Sequence, residues 1–175
     1  INWSFNTVGW LPDNESLYFL SEESGFSHLY VDNVKGGARK SLTSGSFVVC
    51  PRGSNPEPYL SRDGTHLYFP ANRSHSGRIE IYRVDVATAK LEQLTELGGV
   101  TRFVVSPDER SLLLTHSTAT RPPELFVQET KTGARPRRGC SLRPASPRAL
   151  RSRVAGVVPS GMAGFRSGAF AGVRP

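Results

Sequence analysis

The chain has 175 residues and a formal net charge of +7, from 22 basic and 15 acidic side chains. Nine of the basic residues and none of the acidic ones fall within residues 135–175, so residues 1–134 carry a net charge of −2. This near-neutral body argues against a nucleic-acid partner, because such recognition needs a basic face on a folded element.

Four strands are predicted within the first 45 residues. They cover residues 7–10, 16–21, 27–32 and 39–43. Pro12-Asp13-Asn14 forms the first turn, since Pro fixes φ and Asx side chains bond the nearby backbone. The run at residues 17–20 is apolar on both faces, unlike the alternation of a half-exposed sheet. The fourth strand is polar enough to form an edge.

A second unit, residues 46–99, repeats this order. Its predicted strands are residues 47–50, 66–71, 79–86 and 90–95, with a long Pro/Gly/Asn loop over residues 51–58. The ending Leu42-Thr43 of the first unit returns as Leu94-Thr95. Apolar residues within 86–97 also have near-helical spacing, which leaves a helix there as an alternative. The register of the repeat favours a strand.

The third unit, residues 100–134, is predicted to be incomplete. Its strands are residues 102–106, 111–117 and 124–128, the last one following a connection over residues 121–123. The repeat places a fourth strand near residues 135–139, which read RPRRG. Pro lacks the ladder donor and the arginines have no apolar partner, so the repeat is expected to break off there.

The composition changes from Gly133 onward, and residues 135–175 form a low-complexity Arg/Pro/Gly/Ala tail. Low apolar content and unbalanced charge predict that it is disordered. Two interpretations stay open. The tail is a genuine basic segment that binds anions, or it is an out-of-frame translation of a GC-rich gene. The second is favoured because the change comes in the middle of a repeat.

An Asp-centred turn followed by a short apolar run occurs three times, on Asp13, Asp63 and Asp108. Repeats of 40–50 residues with four short strands each are typical of β-propeller blades. We therefore predict an all-β fold: a partial propeller of about three four-stranded antiparallel blades, covering residues 1–45, 46–99 and 100–134. Both ends should present apolar faces that another blade would cover. A three-sheet meander or β-sandwich is the alternative.

The segment SEESGFSHLY at residues 21–30 resembles a hairpin of propellers in the prolyl oligopeptidase family of serine peptidases, in the dipeptidyl-peptidase-IV-like branch. Residues 10–13, 71–72, 81–84 and 94–95 fit the same pattern, and the resemblance covers residues 10–128. It implies that the chain is a propeller fragment preceding an α/β-hydrolase domain, which would be its partner. It also implies a short peptide as substrate, with the propeller gating access.

The sequence offers no catalytic residue. No G-x-S-x-G pentapeptide of the kind that carries the hydrolase nucleophile is present, and the four histidines have no triad or metal spacing. The pair Glu22-Glu23 is a weak substrate-binding candidate, since the resemblance implies that carboxylate pairs hold a peptide's free amino terminus. The pair of this chain lies in a different motif, so a solvated turn is the simpler interpretation.

No cofactor and no metal are expected. Cys50 and Cys140 lie far apart without a CxxC, and no apolar run approaches the roughly 20 residues that span a bilayer, so no membrane partner is expected. The sequence opens on Ile1, which indicates a start inside a longer reading frame. The compartment is left open between bacterial periplasm and cytoplasm. A TolB-like or WD-like interaction propeller without enzymatic activity is the alternative function.

Overall fold

The computed structural model describes residues 7–55 and 57–139. Within these residues the chain forms twelve strands and no helix. In chain order they are β1 Val8–Trp10, β2 Ser16–Ser21, β3 His28–Asn33, β4 Lys40–Ser41, β5 Tyr59–Leu60, β6 His66–Ala71, β7 Glu80–Asp85, β8 Leu91–Gln93, β9 Val100–Val105, β10 Ser111–Thr118, β11 Arg121–Glu129 and β12 Arg137–Arg138.

The strands form three antiparallel sheets of four, each in chain order: β1–β4 is sheet 1, β5–β8 is sheet 2 and β9–β12 is sheet 3. This confirms the partial propeller. The second and third strands of each sheet pair over most of their length, as in the register Ser16 with Asn33 and Ser21 with His28. Residues 86–97 contain a turn and strand β8, so the helical alternative is wrong.

The predicted first strand of the second unit, residues 47–50, is wrong. That segment connects sheets 1 and 2 and bonds to both, since Val49 N donates to Ser27 O and Cys50 N donates to Pro70 O, each at 2.8 Å. The first strand of sheet 2 is β5, which precedes the Asp63 turn as β1 precedes the Asp13 turn. Apolar side chains are buried in a connection between two sheets as well as in a strand, so composition did not separate them.

Sheet 3 also departs from expectation. β11 begins at Arg121 and includes Pro122 and Pro123, which were expected in a connection. A fourth strand exists, because β12 pairs with Phe126 and Val127 of β11. Both residues of β12 are exposed, so the pairing uses the backbone and needs no apolar side chain. The prediction that the repeat breaks off near residues 135–139 is therefore wrong, because a fourth strand is present there. Residues 140–175 of the predicted tail lie outside the described residues.

The repeated Asp turns have the same geometry in all three sheets. Asp13 Oδ1 accepts from Glu15 N at 3.0 Å, Asp63 Oδ1 from Thr65 N at 3.0 Å, and Asp108 Oδ1 from Arg110 N at 3.2 Å. Hydrogen bonds to the ionised carboxylate lower the pKa of each, and that of Asp63 falls to about 2, with the Ser61 hydroxyl as the largest cause. The residue directly after the Asp has a positive φ in each turn: Asn14 at 55°, Gly64 at 71° and Glu109 at 58°.

Neighbouring sheets pack face to face through two apolar clusters. We call the side of a sheet that meets the following sheet its forward face, and the opposite side its rear face. Leu20 and Leu29 on the forward face of sheet 1 contact the rear face of sheet 2, which carries Phe69 and Tyr82. The second cluster joins the forward face of sheet 2 to the rear face of sheet 3; it contains Tyr68, Ile81, Leu94, Phe103, Leu112 and Leu114.

Each outer face of this stack keeps exposed apolar side chains among the described residues, although Tyr30 on the rear face of sheet 1 is buried. On the forward face of sheet 3, Val104, Leu113 and Val127 keep 63%, 42% and 44% of their surface exposed. On the rear face of sheet 1, Val8 and Trp10 are 62% and 58% exposed. Covering a large apolar side chain stabilises by about 1.5–3 kcal/mol, so both faces favour a further sheet as neighbour.

Candidate functional site

The hairpin between β2 and β3 is the segment that carries the family resemblance. Ser21 and His28 close it as the last register pair of the two strands. Gly25 has a φ of 90°, which favours glycine, and its N–H donates to Glu22 O at 2.8 Å. The hairpin lies on the same end of sheet 1 as the connection to sheet 2, because Ser27 O accepts from Val49 N.

Glu22 and Glu23, the candidate substrate-binding pair, are both exposed in this hairpin. The carboxylate of Glu23 accepts from Arg39 Nη1 at 2.5 Å, and Arg39 Nε also lies 3.4 Å from Asp32 Oδ2. Attraction by Glu23 is the largest cause that raises the pKa of the Arg39 guanidinium. An ammonium group of a peptide would therefore compete with Arg39 for Glu23. The substrate-binding role of the pair stays a prediction.

The histidines of the described residues form no catalytic triad. His28 is buried at the start of β3, where Nε2 donates to Gly45 O at 2.9 Å and Nδ1 lies 3.0 Å from the Thr43 hydroxyl. Since a carbonyl can only accept, Nε2 carries the proton and Thr43 Oγ1 donates to Nδ1. His28 is thus a buried residue that links the start of β3 to the segment after β4. Within residues 7–55 and 57–139, no group of three potential metal ligands comes together.

Glu80, which the sequence did not single out, occupies the position of His28 in sheet 2. It is 1% exposed at the start of β7. Oε2 accepts from the Thr95 hydroxyl at 2.6 Å, and Oε1 accepts from the N–H groups of Leu97 and Gly98 at 2.9 and 2.7 Å. The carboxylate therefore fixes the connection between sheets 2 and 3. When the Leu-Thr endings of the two units are aligned, Glu80 is placed beside Thr95. This alignment is the sequence signal that could have identified Glu80.

A shallow depression of about 540 Å³ lies at the hairpin end of sheet 3. His116, Phe126 and Leu97 are on its walls, and Arg121 and Glu124 are among its polar lining residues. Burial lowers the pKa of His116, whose Nδ1 lies 3.1 Å from Thr101 Oγ1.

The chain's relatives place this geometry in a family. Residues 1–123 match the family described as the dipeptidyl peptidase IV (DPP IV) N-terminal region. The chain belongs to this family. A protein of Agrobacterium fabrum is 31% identical over 88 residues, which is 50% of this chain and 27% of that protein. The chain thus spans about a quarter of the length of this curated relative.

Solved structures agree with the family assignment at the level of the fold. Porphyromonas gingivalis dipeptidyl peptidase 4 matches with a TM-score of 0.58 and 24% identity, over 79% of this chain and 18% of that chain. TolB from Acinetobacter baumannii matches with a TM-score of 0.53 and 19% identity, over 79% of this chain and 34% of that chain. At such identities the likeness shows the propeller fold alone. No helix in the described part of the chain is long and apolar enough to cross a membrane.

Proposed function

We propose that the chain is a non-catalytic propeller portion of a serine peptidase, whose α/β-hydrolase domain belongs to a longer protein. The observation that carries this proposal is the family match over residues 1–123, together with the dipeptidyl peptidase 4 structure among the similar folds. The longer protein cleaves short peptides, after proline or a small residue, through an acyl-enzyme formed on a serine of the hydrolase domain. No residue of this chain attacks the bond.

The propeller's role in this proposal is to restrict access to the active site and to shape the peptide-binding side of the cavity. Stacked sheets joined by buried clusters such as Leu20, Leu29 and Phe69 form a rigid wall that a folded protein cannot pass. A short peptide enters through the openings between loops. The exposed carboxylates of Glu22 and Glu23 are then candidates to bind its amino terminus, with Arg39 released from Glu23 as the ammonium binds.

The test uses the longer reading frame that contains this chain and the 175-residue chain by itself. We expect the longer protein to react with a fluorophosphonate probe for activated serines and to hydrolyse Xaa-Pro p-nitroanilides, and the short chain to do neither. A longer protein that is neither labelled nor active would contradict the proposal. That outcome would favour the alternative, an interaction propeller without enzymatic activity, to which the TolB likeness points.

The role of the glutamate pair is tested separately, in the longer protein. Glu22→Gln and Glu23→Gln should raise KM for a dipeptide substrate with a free amino group and leave an N-acetylated substrate unaffected. Glu15→Gln is the matched control, because Glu15 is an exposed carboxylate that pairs with Lys35 in another turn. Equal effects on both substrates, or none on either, would remove Glu22 and Glu23 from the binding site without bearing on the peptidase assignment.

A further inference from the structure

The described sheets meet at two joints. The first joint is the packing of sheet 1 on sheet 2, and the second joint is the packing of sheet 2 on sheet 3. One pair of positions recurs in both. Val49 of the connection bridges to Ala71 of β6 in the first joint. Thr101 of β9 pairs with His116 of β10 in the second joint. Ala71 and His116 each also pair with a glutamate in the third strand of their sheet, so the two joints can be compared position by position.

The aromatic ring comes from opposite sides in the two joints. Phe47 and Gly99 occupy matching positions, since each lies two residues before the first member of the pair in its joint. In the first joint the Phe47 ring is buried in the same cluster as the small Ala71. In the second joint a Cβ on Gly99 would lie 2.7 Å from His116 Cε1. The second joint thus has an imidazole from the strand where the first has a phenyl ring from the connection.

His116 lies between the buried side of the second joint and water. Its Nδ1 is 3.1 Å from Oγ1 of Thr101, which is fully buried. Its ring meets Phe126 edge-on, with the ring centroids 6.1 Å apart. The same side chain lines the depression at the hairpin end of sheet 3. The ring therefore has neutral and apolar contacts on one side and space to move into on the other.

Charged side chains of β7, β11 and β12 act on this imidazole. Glu80 and Glu124 attract a protonated ring, but Glu80 already accepts three hydrogen bonds and Glu124 already pairs with Arg138 at 3.3 Å. Arg121 and Arg138 line the same depression as His116 and repel a protonated ring. Burial is the largest effect, and it lowers the pKa of His116 below the ordinary 6.5. The closed joint therefore resists a proton that an opened joint accepts.

We propose that His116 makes the second joint an acid-sensitive contact: when its imidazole takes up a proton, sheet 3 loosens from sheet 2. A protonated ring has two donors, so Nδ1 has no lone pair left to accept from the Thr101 hydroxyl. The charge is also better solvated in the depression than against Phe126. Movement of the ring into the depression removes its contacts with β9 and β11. The equivalent ring of the first joint, Phe47, does not titrate.

This inference does not rest on the peptidase role, so its failure would leave the proposed function untouched. Amide hydrogen exchange of the 175-residue chain tests it, because one N–H group reports on each joint. Thr101 N donates to Ile79 O at 3.0 Å in the second joint, and Val49 N donates to Ser27 O at 2.8 Å in the first. Protection factors, corrected for the intrinsic effect of pH on exchange, are measured from about pH 8 to about pH 5, where histidine titrates. We expect the factor of Thr101 to fall as pH drops below 6.5, since the opened joint binds the proton more tightly.

Substitution of the imidazole should remove this response. His116→Gln has no titrating group and keeps an oxygen that can accept from the Thr101 hydroxyl. The fall at Thr101 should disappear in this variant, while the protection factor of Val49 follows that of the native chain, because the first joint contains His28 and not His116. His75→Gln is the matched control, since His75 is exposed in the connection between β6 and β7, and the fall at Thr101 should persist. His116→Phe, which introduces the phenyl ring of the first joint, replaces His116→Gln if circular dichroism shows that variant to be unfolded.

Several outcomes would overturn the proposal. One is a native chain in which the protection of Thr101 does not fall with acid, and another is a fall that survives in the His116 variants or is lost in His75→Gln. A third is a fall that His116→Gln removes equally at Thr101 and Val49, because the proton would then act on the whole fold instead of one joint. A nuclear magnetic resonance titration of the His116 ring gives an independent check. We expect a midpoint below 6.5, and a midpoint above that value would contradict the resistance of the closed joint to the proton.

Discussion

The carboxylate of Glu80 is buried where sheet 2 meets the connection to sheet 3. Three donors converge on it, from Thr95, Leu97 and Gly98. His28 fills the corresponding position in sheet 1 and bonds to Thr43 and Gly45 instead. In sheets 1 and 2, a side chain at the start of the third strand therefore bonds to the threonine that follows the fourth strand. The residue that forms this bond differs: it is His28 in sheet 1 and Glu80 in sheet 2. A buried carboxylate that accepts three hydrogen bonds is costly to remove.

Glu80→Ala should lower the free energy of unfolding by about 2 kcal/mol, because it leaves the buried Thr95 hydroxyl and two part-buried N–H groups without their acceptor. Glu80→Gln should cost less, since its amide oxygen still accepts from part of the set. Urea unfolding followed by circular dichroism measures both. Glu96→Ala is the control in the same connection: Glu96 is exposed, and a change within about 0.5 kcal/mol is expected. Equal costs for Glu80→Ala and Glu96→Ala would contradict the role of Glu80.

Asp63 should contribute stability that depends on pH. Its pKa is about 2 in the folded chain, below the ordinary 3.8, because Ser61 and Thr65 donate to the ionised carboxylate. A carboxyl with a lowered folded pKa stabilises above its unfolded pKa, and the contribution is lost as pH falls from about 4 towards 2. The stability difference between the native chain and Asp63→Asn should therefore shrink over that range. A carboxyl NMR titration with a midpoint near 4 would show the prediction to be wrong.

At the scale of the elements, the sheets are joined by side chains that bond to a neighbour's backbone. Lys40 in β4 donates to the carbonyls of Val86 and Ala87 in the turn between β7 and β8. Lys40→Met keeps the apolar stem and should lower the free energy of unfolding by about 1 kcal/mol, since a half-exposed charged bond is lost. Lys35→Met is the control, as its pair with Glu15 is exposed and surface pairs contribute little. Faster amide exchange at residues 86–90 should accompany Lys40→Met alone.

Asn55 joins the loop before β5 to β9. Its amide forms two bonds with one residue, because Phe103 N donates to Oδ1 at 3.0 Å and Nδ2 donates to Phe103 O at 2.8 Å. Asn55→Ala removes both bonds and should cost about 1–2 kcal/mol of stability. Asn55→Asp keeps an acceptor for the Phe103 N–H and loses the donor to Phe103 O. If the bond from the Phe103 N–H contributes most, thermal unfolding should place the stability of Asn55→Asp between that of Asn55→Ala and that of the native chain.

The elements were predictable where local signals agree with the repeat. The second strands, Ser16–Ser21 and His66–Ala71, have the predicted bounds because each follows an Asp turn with a continuous apolar run. Residues 47–50 were misassigned because burial between two sheets selects the same apolar residues as a strand. β12 was missed because an edge strand pairs through its backbone, and its exposed arginines give no apolar signal.

The candidate site was less predictable than the fold. Glu22 and Glu23 were identified as a pair from adjacency in sequence, but the partner that decides the availability of Glu23 is Arg39, sixteen residues away. Glu80 was missed because an isolated acidic residue at the start of a strand reads as exposed. Only the three-dimensional closure of residues 95–98 around it makes it buried. Both contacts join residues that are distant in sequence, and the pattern of apolar and polar residues along the chain does not reveal such pairs.

Over the whole molecule, the described residues form a stack of three sheets with an apolar face at either end. Two internal clusters stabilise the stack, and each is formed by the forward face of one sheet and the rear face of the next. The end faces carry the same kinds of residue at the same register positions, with Leu113 in sheet 3 corresponding to the buried Tyr68 of sheet 2. Exposed apolar residues on both end faces therefore favour a further sheet as neighbour on each side of the described part of the chain.

Methyl and aromatic nuclear Overhauser effects in solution test whether the three sheets pack in chain order. Contacts are expected from Leu20 and Leu29 to residues of β6 and β7, and from Tyr68 and Ile81 to Leu112 and Leu114. Contacts between Leu29 and Leu112 would instead join sheets 1 and 3 through faces that sheet 2 should cover. Observing them would mean a closed barrel or a two-layer sandwich, and would contradict the propeller arrangement.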